Sequence, residues 1–143
     1  MKTMSKLHNV RAFCDAKEIN ITPLRAEILS LLSKNENPMS AYDLLRALRI
    51  KNPNAEPPTV YRVLEFFQEK NIVHRVDSNN TYLLCTHPET LHYSQVLICK
   101  SCNSTYEVED KGLFNAMKKL THKFKFAFSS DLLEIRGLCS KCA

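Results

Sequence analysis

Residues 56–85 read EPPTVYRVLEFFQEKNIVHRVDSNNTYLLC, and this stretch decides the fold. Proline in the first helical turn has its φ pre-set and lacks only an N–H that no helical carbonyl could accept, so Pro57 and Pro58 mark a helix start. Val60, Val63, Leu64 and Phe67 then recur at helical spacing as one apolar stripe, which leaves Thr59, Tyr61, Arg62 and Glu65 on the other faces. The following Ile72-Val73-His74-Arg75-Val76 and Thr81-Tyr82-Leu83-Leu84-Cys85, separated by the polar Asp77-Ser78-Asn79-Asn80, read as a β-hairpin. Helix followed by hairpin is the closing half of a winged helix. Exposed Tyr and Arg near a helix N-terminus are what a recognition helix offers to a major groove. Lys51, Arg62, Lys70 and Arg75 flank this helix and wing, where phosphate contacts are needed.

Working upstream, Leu7, Val10, Phe13, Cys14 and Ala16 lie at helical spacing and predict a first amphipathic helix, with Cys14 as a core residue. Thr22-Pro23 supplies an N-cap and a first-turn proline for a second helix whose periodic residues are Leu24, Ile28, Leu31 and Leu32. Asn35-Glu36-Asn37-Pro38 breaks it. A third helix is predicted from Ser40, with Asp43 three residues on in the manner of a capping box, burying Leu44, Leu45 and Leu48 and stopping before Asn52-Pro53.

Downstream, the composition shifts at Thr86-His87-Pro88-Glu89-Thr90, which predicts a hinge. Ser94 to Ile98 and Thr105 to Val108 are strand-like, with Cys99 and Cys102 in the turn joining them. Gly112 is expected to precede a helix with Leu113, Phe114, Met117 and Leu120 on one face. Phe126-Ala127-Phe128 and Leu132 to Leu138 are expected to add strand before a second pair, Cys139 and Cys142. Two Cys-x-x-Cys knuckles separated by a helix and a strand can present four thiolates to one tetrahedral Zn²⁺. The competing reading, a disulfide inside each Cys-x-x-Cys, demands two strained short loops in one small unit. The Phe-rich run from Phe124 to Phe128 and the sheet edge suit self-association.

The 143 residues allow one domain or two small ones, each too small to be comfortably stable without a metal staple or a dimer interface. A formal net charge of +5 permits nucleic acid as a partner. No run approaches a membrane span and the N-terminus carries no apolar signal segment, so a reducing cytoplasm is expected, where such cysteines bind metal. The zinc-deaminase pattern of H-x-E followed by P-C-x-x-C is absent, and no enzyme activity or small-molecule substrate is expected. His74, Cys85, His87, His92 and Glu107 cluster around the first Cys pair and point to a second, non-structural metal.

These residues carry a resemblance to the Fur family of metal-responsive repressors. The matching segments are Thr22-Pro23-Leu24-Arg25, Ser40-Ala41-Tyr42-Asp43-Leu44-Leu45, Pro57 to Leu64, Val73-His74-Arg75-Val76, Tyr82-Leu83-Leu84-Cys85, Ile98-Cys99 with Cys102, and Gly137-Leu138-Cys139 with Cys142. The resemblance implies an α+β chain: an N-terminal winged helix-turn-helix DNA-binding domain over 1–85, a hinge over 86–92, and a small α+β dimerisation domain over 93–143 bearing the four-cysteine zinc. By match to the zinc-sensing branch, His74, Cys85, His92 and Glu107 hold a regulatory Zn²⁺, giving two zinc ions per chain. To Thr59, Tyr61 and Arg62 the resemblance adds Tyr42 and Arg25 as DNA-binding residues. It implies a homodimer that binds palindromic double-stranded operator DNA when the regulatory site is filled, repressing zinc-uptake genes. The alternatives are a regulator of the same type sensing Fe²⁺ or Mn²⁺, and a thiol redox or peroxide switch using the Cys-x-x-Cys pairs.

The iron and peroxide branches resemble one another in a His-rich stretch before the first Cys pair. Here that stretch is His92-Tyr93-Ser94-Gln95, and Cys85 supplies a thiolate, a ligand that selects softer ions. His87 is a neighbour that could replace His92, but Pro88 beside it suggests a loop role. Glu109 and Asp110 compete with Glu107, which alternation from Cys102 favours. His8 and His122 read as solvent-facing. Arg62 also has a bland reading, a helix-surface residue paired with Glu65 or Glu69.

Overall fold

The computed structural model describes residues 2–89, 94–127 and 132–143, with side chains from Lys6 onward. The chain divides into two compact units, Met1–Leu91 and His92–Ala143.

The first unit runs α1 (Lys2–Ala16), α2 (Pro23–Lys34), β1 (Met39–Ser40), α3 (Ala41–Leu48), α4 (Pro57–Glu69), β2 (Val73–Val76) and β3 (Thr81–Leu84). Each helix begins where local chemistry places it. Thr22 Oγ1 accepts the Arg25 backbone N–H at 3.3 Å to start α2. At α3 the capping box closes in both directions: Asp43 N–H donates to Ser40 Oγ at 3.0 Å and Ser40 N–H to Asp43 Oδ2 at 3.3 Å. Helix α4 has no side-chain cap at Glu56 and relies on Pro57 at its first position.

The apolar stripes meet in one core that includes Val10, Cys14, Ile28, Leu44, Leu48, Val60, Leu64 and Phe67. Burying each large side chain there is worth about 1.5–3 kcal/mol. Strands β2 and β3 form the expected antiparallel hairpin, with Val73 opposite Leu84 and Val76 opposite Thr81. Its turn is closed by a hydrogen bond from Arg75 to Asn80, whose φ of 53° an asparagine tolerates. The sheet has a third strand that periodicity cannot reveal: β1 pairs Met39 with Tyr82 and Ser40 with Thr81, giving the order β1-β3-β2.

The second unit holds β4 (Ser94–Cys99), β5 (Thr105–Val108), α5 (Lys111–Lys123) and β6 (Leu132–Gly137), with sheet order β5-β4-β6. Strand β5 returns antiparallel beside β4, while β6, reached through α5, lies parallel to it. Two expectations are corrected here. Helix α5 is capped by Asp110, whose Oδ1 accepts the Leu113 N–H at 2.8 Å, so Gly112 lies inside the first turn rather than before it. The helix ends at Lys123, the chain turns through Lys125 at φ 51°, and Phe126 and Ala127 follow without strand structure; Phe128 lies outside the described residues. Helix α5 buries none of its residues, and Leu120, Phe124, Ile135 and Leu138 are all exposed. An apolar surface of this kind marks an interaction face. Among the described residues, no helix is long and apolar enough to cross a membrane.

Candidate metal centre and nucleic-acid interface

Parallel pairing of β4 with β6 sets Cys99 beside Gly137, so both strands finish at the same end of the sheet and both knuckles leave from it. The first knuckle turns through Asn103, at φ 60°, whose N–H donates to Cys99 O at 2.9 Å. The second is closed by Cys142 N–H on Cys139 O at 2.9 Å, and Lys100 N–H ties the two together through Gly137 O at 2.9 Å. None of the four cysteines is in a disulfide. Their sulfurs all lie within 4.8 Å of one another, with Cys102 Sγ and Cys139 Sγ 3.8 Å apart. A tetrahedral ion with Zn–S bonds of about 2.3 Å needs sulfurs about 3.8 Å apart; Cys102 and Cys139 stand at that spacing and no pair exceeds it by more than about 1 Å.

The electrostatics agree. Backbone N–H groups of Cys102 and then Cys139 point at the Cys99 sulfur and bring its pKa down to about 6. Cys139 is lowered by the Lys141 N–H. Cys142 is lowered by Ser101, but hydrogen bonds with Cys139 and then Cys102 outweigh this and push it up to about 12. Crowded thiolates repel one another, so the cluster can lose all its protons only to a cation.

The proposed regulatory residues are divided between the units. In the first, His74 sits opposite Leu83 in the hairpin, and Leu83 is two residues from Cys85, so the imidazole and the thiol share one face. Both are buried, and Cys85 is anchored by its N–H on Ile72 O at 2.8 Å. The other face, with Val73, Tyr82 and Leu84, belongs to the helical core. In the second unit, Glu107 on β5 is half-buried, and its Oε1 accepts a hydrogen bond from Ser94 Oγ at 2.9 Å. His92 lies outside the described residues. Of the rivals, His87 is exposed with its Nδ1 3.4 Å from Glu89 Oε1, and Asp110 is engaged as the α5 cap. His8 and His122 are exposed. Ser94 and Gln95, both wholly buried, escaped sequence reasoning; Gln95 Oε1 accepts the Asp110 N–H at 2.7 Å and fixes the approach to α5.

On the other candidate face, Thr59, Tyr61 and Arg62 are exposed along the first turns of α4, Tyr61 at 50%. Tyr42, at the start of α3, is 67% exposed, with the Arg46 guanidinium 5.8 Å from its ring centroid. Among the described residues Arg62 enters no ion pair, with Glu65, Glu69 or any other carboxylate. Arg25 is placed differently. It is half-buried, its Nη1 donates to Asn20 O at 2.7 Å, and its guanidinium carbon lies 3.7 Å from the centroid of the Phe66 ring. The Phe66 contact joins helices far apart in sequence and leaves no local signal.

The model of the ferric uptake regulator family matches residues 16–136. The chain belongs to that family. This member of the ferric uptake regulator family is 38% identical over 141 residues to the zinc uptake regulation protein of Escherichia coli (strain K12), covering 98% of this chain and 82% of the relative. Among solved structures it resembles a zinc uptake regulator complexed with zinc and DNA, at 37% identity and a TM-score of 0.87 over 99% of this chain and 95% of that one. It is also similar to the holo form of XcZur, at 34% identity and a TM-score of 0.80 over 94% and 96% of the two chains.

Proposed function

We propose that this chain is a zinc-responsive transcriptional repressor that binds palindromic operator DNA as a homodimer and represses zinc-uptake genes in the cytoplasm. The observation that carries this is a winged helix whose recognition helix exposes Thr59, Tyr61 and Arg62, in a chain similar over 99% of its length to a zinc uptake regulator complexed with zinc and DNA. Arg62 reads a base edge, Tyr42, Thr59 and Tyr61 complete the contact, and Arg25 serves the same face; phosphates are met by basic residues around it.

Cys99, Cys102, Cys139 and Cys142 hold a structural zinc, and His74, Cys85, His92 and Glu107 hold a regulatory one, two ions per chain. Two imidazoles, a thiolate and a carboxylate suit zinc, and the two anionic ligands balance its charge. His74 and Cys85 belong to the first unit and His92 and Glu107 to the second. Joint ligation therefore links metal supply to operator affinity. A second copy of the chain covers the apolar surface of α5 and β6, and with the regulatory site filled the two recognition helices of the dimer meet half-sites about one DNA turn apart. Repression requires no chemical step on a substrate, and the chain is not an enzyme.

The test is operator binding at buffered free Zn²⁺, Fe²⁺ and Mn²⁺, with zinc per chain counted in parallel. Zinc should switch on binding at far lower free concentration than either other ion. A chain that responds to Fe²⁺ or Mn²⁺ at the lower concentration refutes the zinc assignment.

A further inference from the structure

Phe66 stands four residues after Arg62 on α4, so the two side chains share one face of that helix. The Phe66 ring carries two cations: the Arg25 guanidinium carbon 3.7 Å from its centroid and Lys70 Nζ 5.9 Å from it. Beside it lies Phe67, wholly buried, with the centroids 5.7 Å apart and the planes tilted by 57°. The ring therefore rests against the core on one side and takes a planar cation on the other. Arg25 is fixed at its own end as well, with Thr22 Oγ1 on its backbone N–H at 3.3 Å and Asn20 O on Nη1 at 2.7 Å. A cation in the first turn of α2 opposes the helix dipole. The ring and the Asn20 carbonyl, rather than the helix, favour the charge there.

We propose that Arg25 is a positioning residue for base reading: stacked on Phe66, it braces α2 against α4 and sets the rotation of α4 at which Arg62 meets the bases, and it is not a phosphate contact. The proposal rests on the DNA-binding reading above. A side-chain tip lies about 5–6 Å from its helix axis, so a 10° turn of α4 shifts Arg62 by about 1 Å, enough to spoil a bidentate contact. A flat guanidinium on a flat ring resists such a turn, and a lysine ammonium, a point charge on a flexible stem, does not.

The experiment uses the full zinc-loaded chain and a DNA duplex that the wild-type chain selects from a randomised library. Affinity for this duplex and for single-base variants of it is measured over a range of salt for wild type, Arg25→Lys, Arg25→Gln, Phe66→Leu, Phe66→Tyr and the Arg25→Lys/Phe66→Leu double. Arg25→Lys and Phe66→Leu should each lower discrimination by about fivefold or more, with the double no worse than the poorer single. Phe66→Tyr should keep it, and the salt slope should stay at the wild-type value throughout. If Arg25→Lys keeps discrimination, or if Arg25→Gln lowers the salt slope by about one and weakens all duplexes alike, Arg25 is a phosphate contact and the proposal falls. Lower melting temperatures with wild-type discrimination also overturn it, since that is stability alone. A wild-type chain that selects no duplex fails the DNA-binding reading itself, an outcome distinct from any ranking of the variants.

Discussion

Cys99→Ser should unfold the second unit and leave the first intact. In the second unit the buried apolar side chains are Val96, Ile98 and Cys99 among the described residues, and α5 buries none. Two aliphatic side chains at about 1.5–3 kcal/mol each give about 3–6 kcal/mol. Ordering a helix and three strands costs about 1–2 kcal/mol for each residue fixed, far more than that. Structural zinc contributes about 10–16 kcal/mol, more than the whole buried core of this unit. The first unit keeps a core of its own, from Val10 to Leu84, with no sulfur site in it. The assay is zinc per chain, mass by light scattering and amide hydrogen exchange resolved by segment. The variant should lose one zinc and its dimer mass, exchange freely from Ser94 onward, and retain protection in α2 to β3. A Cys99→Ser chain that stays a zinc-replete dimer with protected β4 and β6 refutes the reasoning.

Cys85→Ser should leave a folded dimer with the four-sulfur zinc in place but abolish the zinc dependence of operator binding, as read by zinc stoichiometry and fluorescence anisotropy; a variant with a full metal response removes Cys85 from the switch. Arg62→Ala should lose about 1–3 kcal/mol of preference for the operator over a single-base variant at unchanged zinc content; unchanged base preference would return Arg62 to a surface role. Acidification should strip the structural zinc. Cys99 has its pKa lowered from the ordinary 9.0 to about 6, so its thiolate stabilises the fold fully above 9 and that contribution is lost as pH falls through 6. Metal retention against a chelator should therefore fall as pH is lowered from 8 to 5, and a flat profile counts against the site.

Features governed by neighbours along the chain are legible in the sequence: the Thr22 cap, the Ser40 and Asp43 box, the Pro57 start, and the stripe from Val60 to Phe67. Features governed by distant partners are not. Strand β1 is two residues long and exists only because Met39 and Ser40 pair with Tyr82 and Thr81. Phe126 to Phe128 alternate like a strand, but alternation makes a strand only beside a pairing partner, and among the described residues Phe126 and Ala127 have none. Asp110, weighed as a metal ligand, starts a helix, which displaces the expected boundary at Gly112. Four cysteines are readable as one site from their spacing, whereas the parallel register that delivers them to one end of the sheet is not. Likewise Arg25 is legible as a basic residue in a matching segment, and its stack on Phe66 is not.

Ser40 has two allegiances: it pairs with Thr81 in the sheet, and it caps the helix that carries Tyr42. Strand β3 runs from Thr81 to Leu84, with Cys85 directly after it, a span of about 14 Å at the usual rise. One end of it adjoins Cys85, the thiol proposed for the regulatory zinc, and the other lies beside the first turn of α3. If Cys85 holds the metal as proposed, only the pairing of Met39 and Ser40 with β3 and the Ser40 cap separate that ligand from the helix carrying Tyr42.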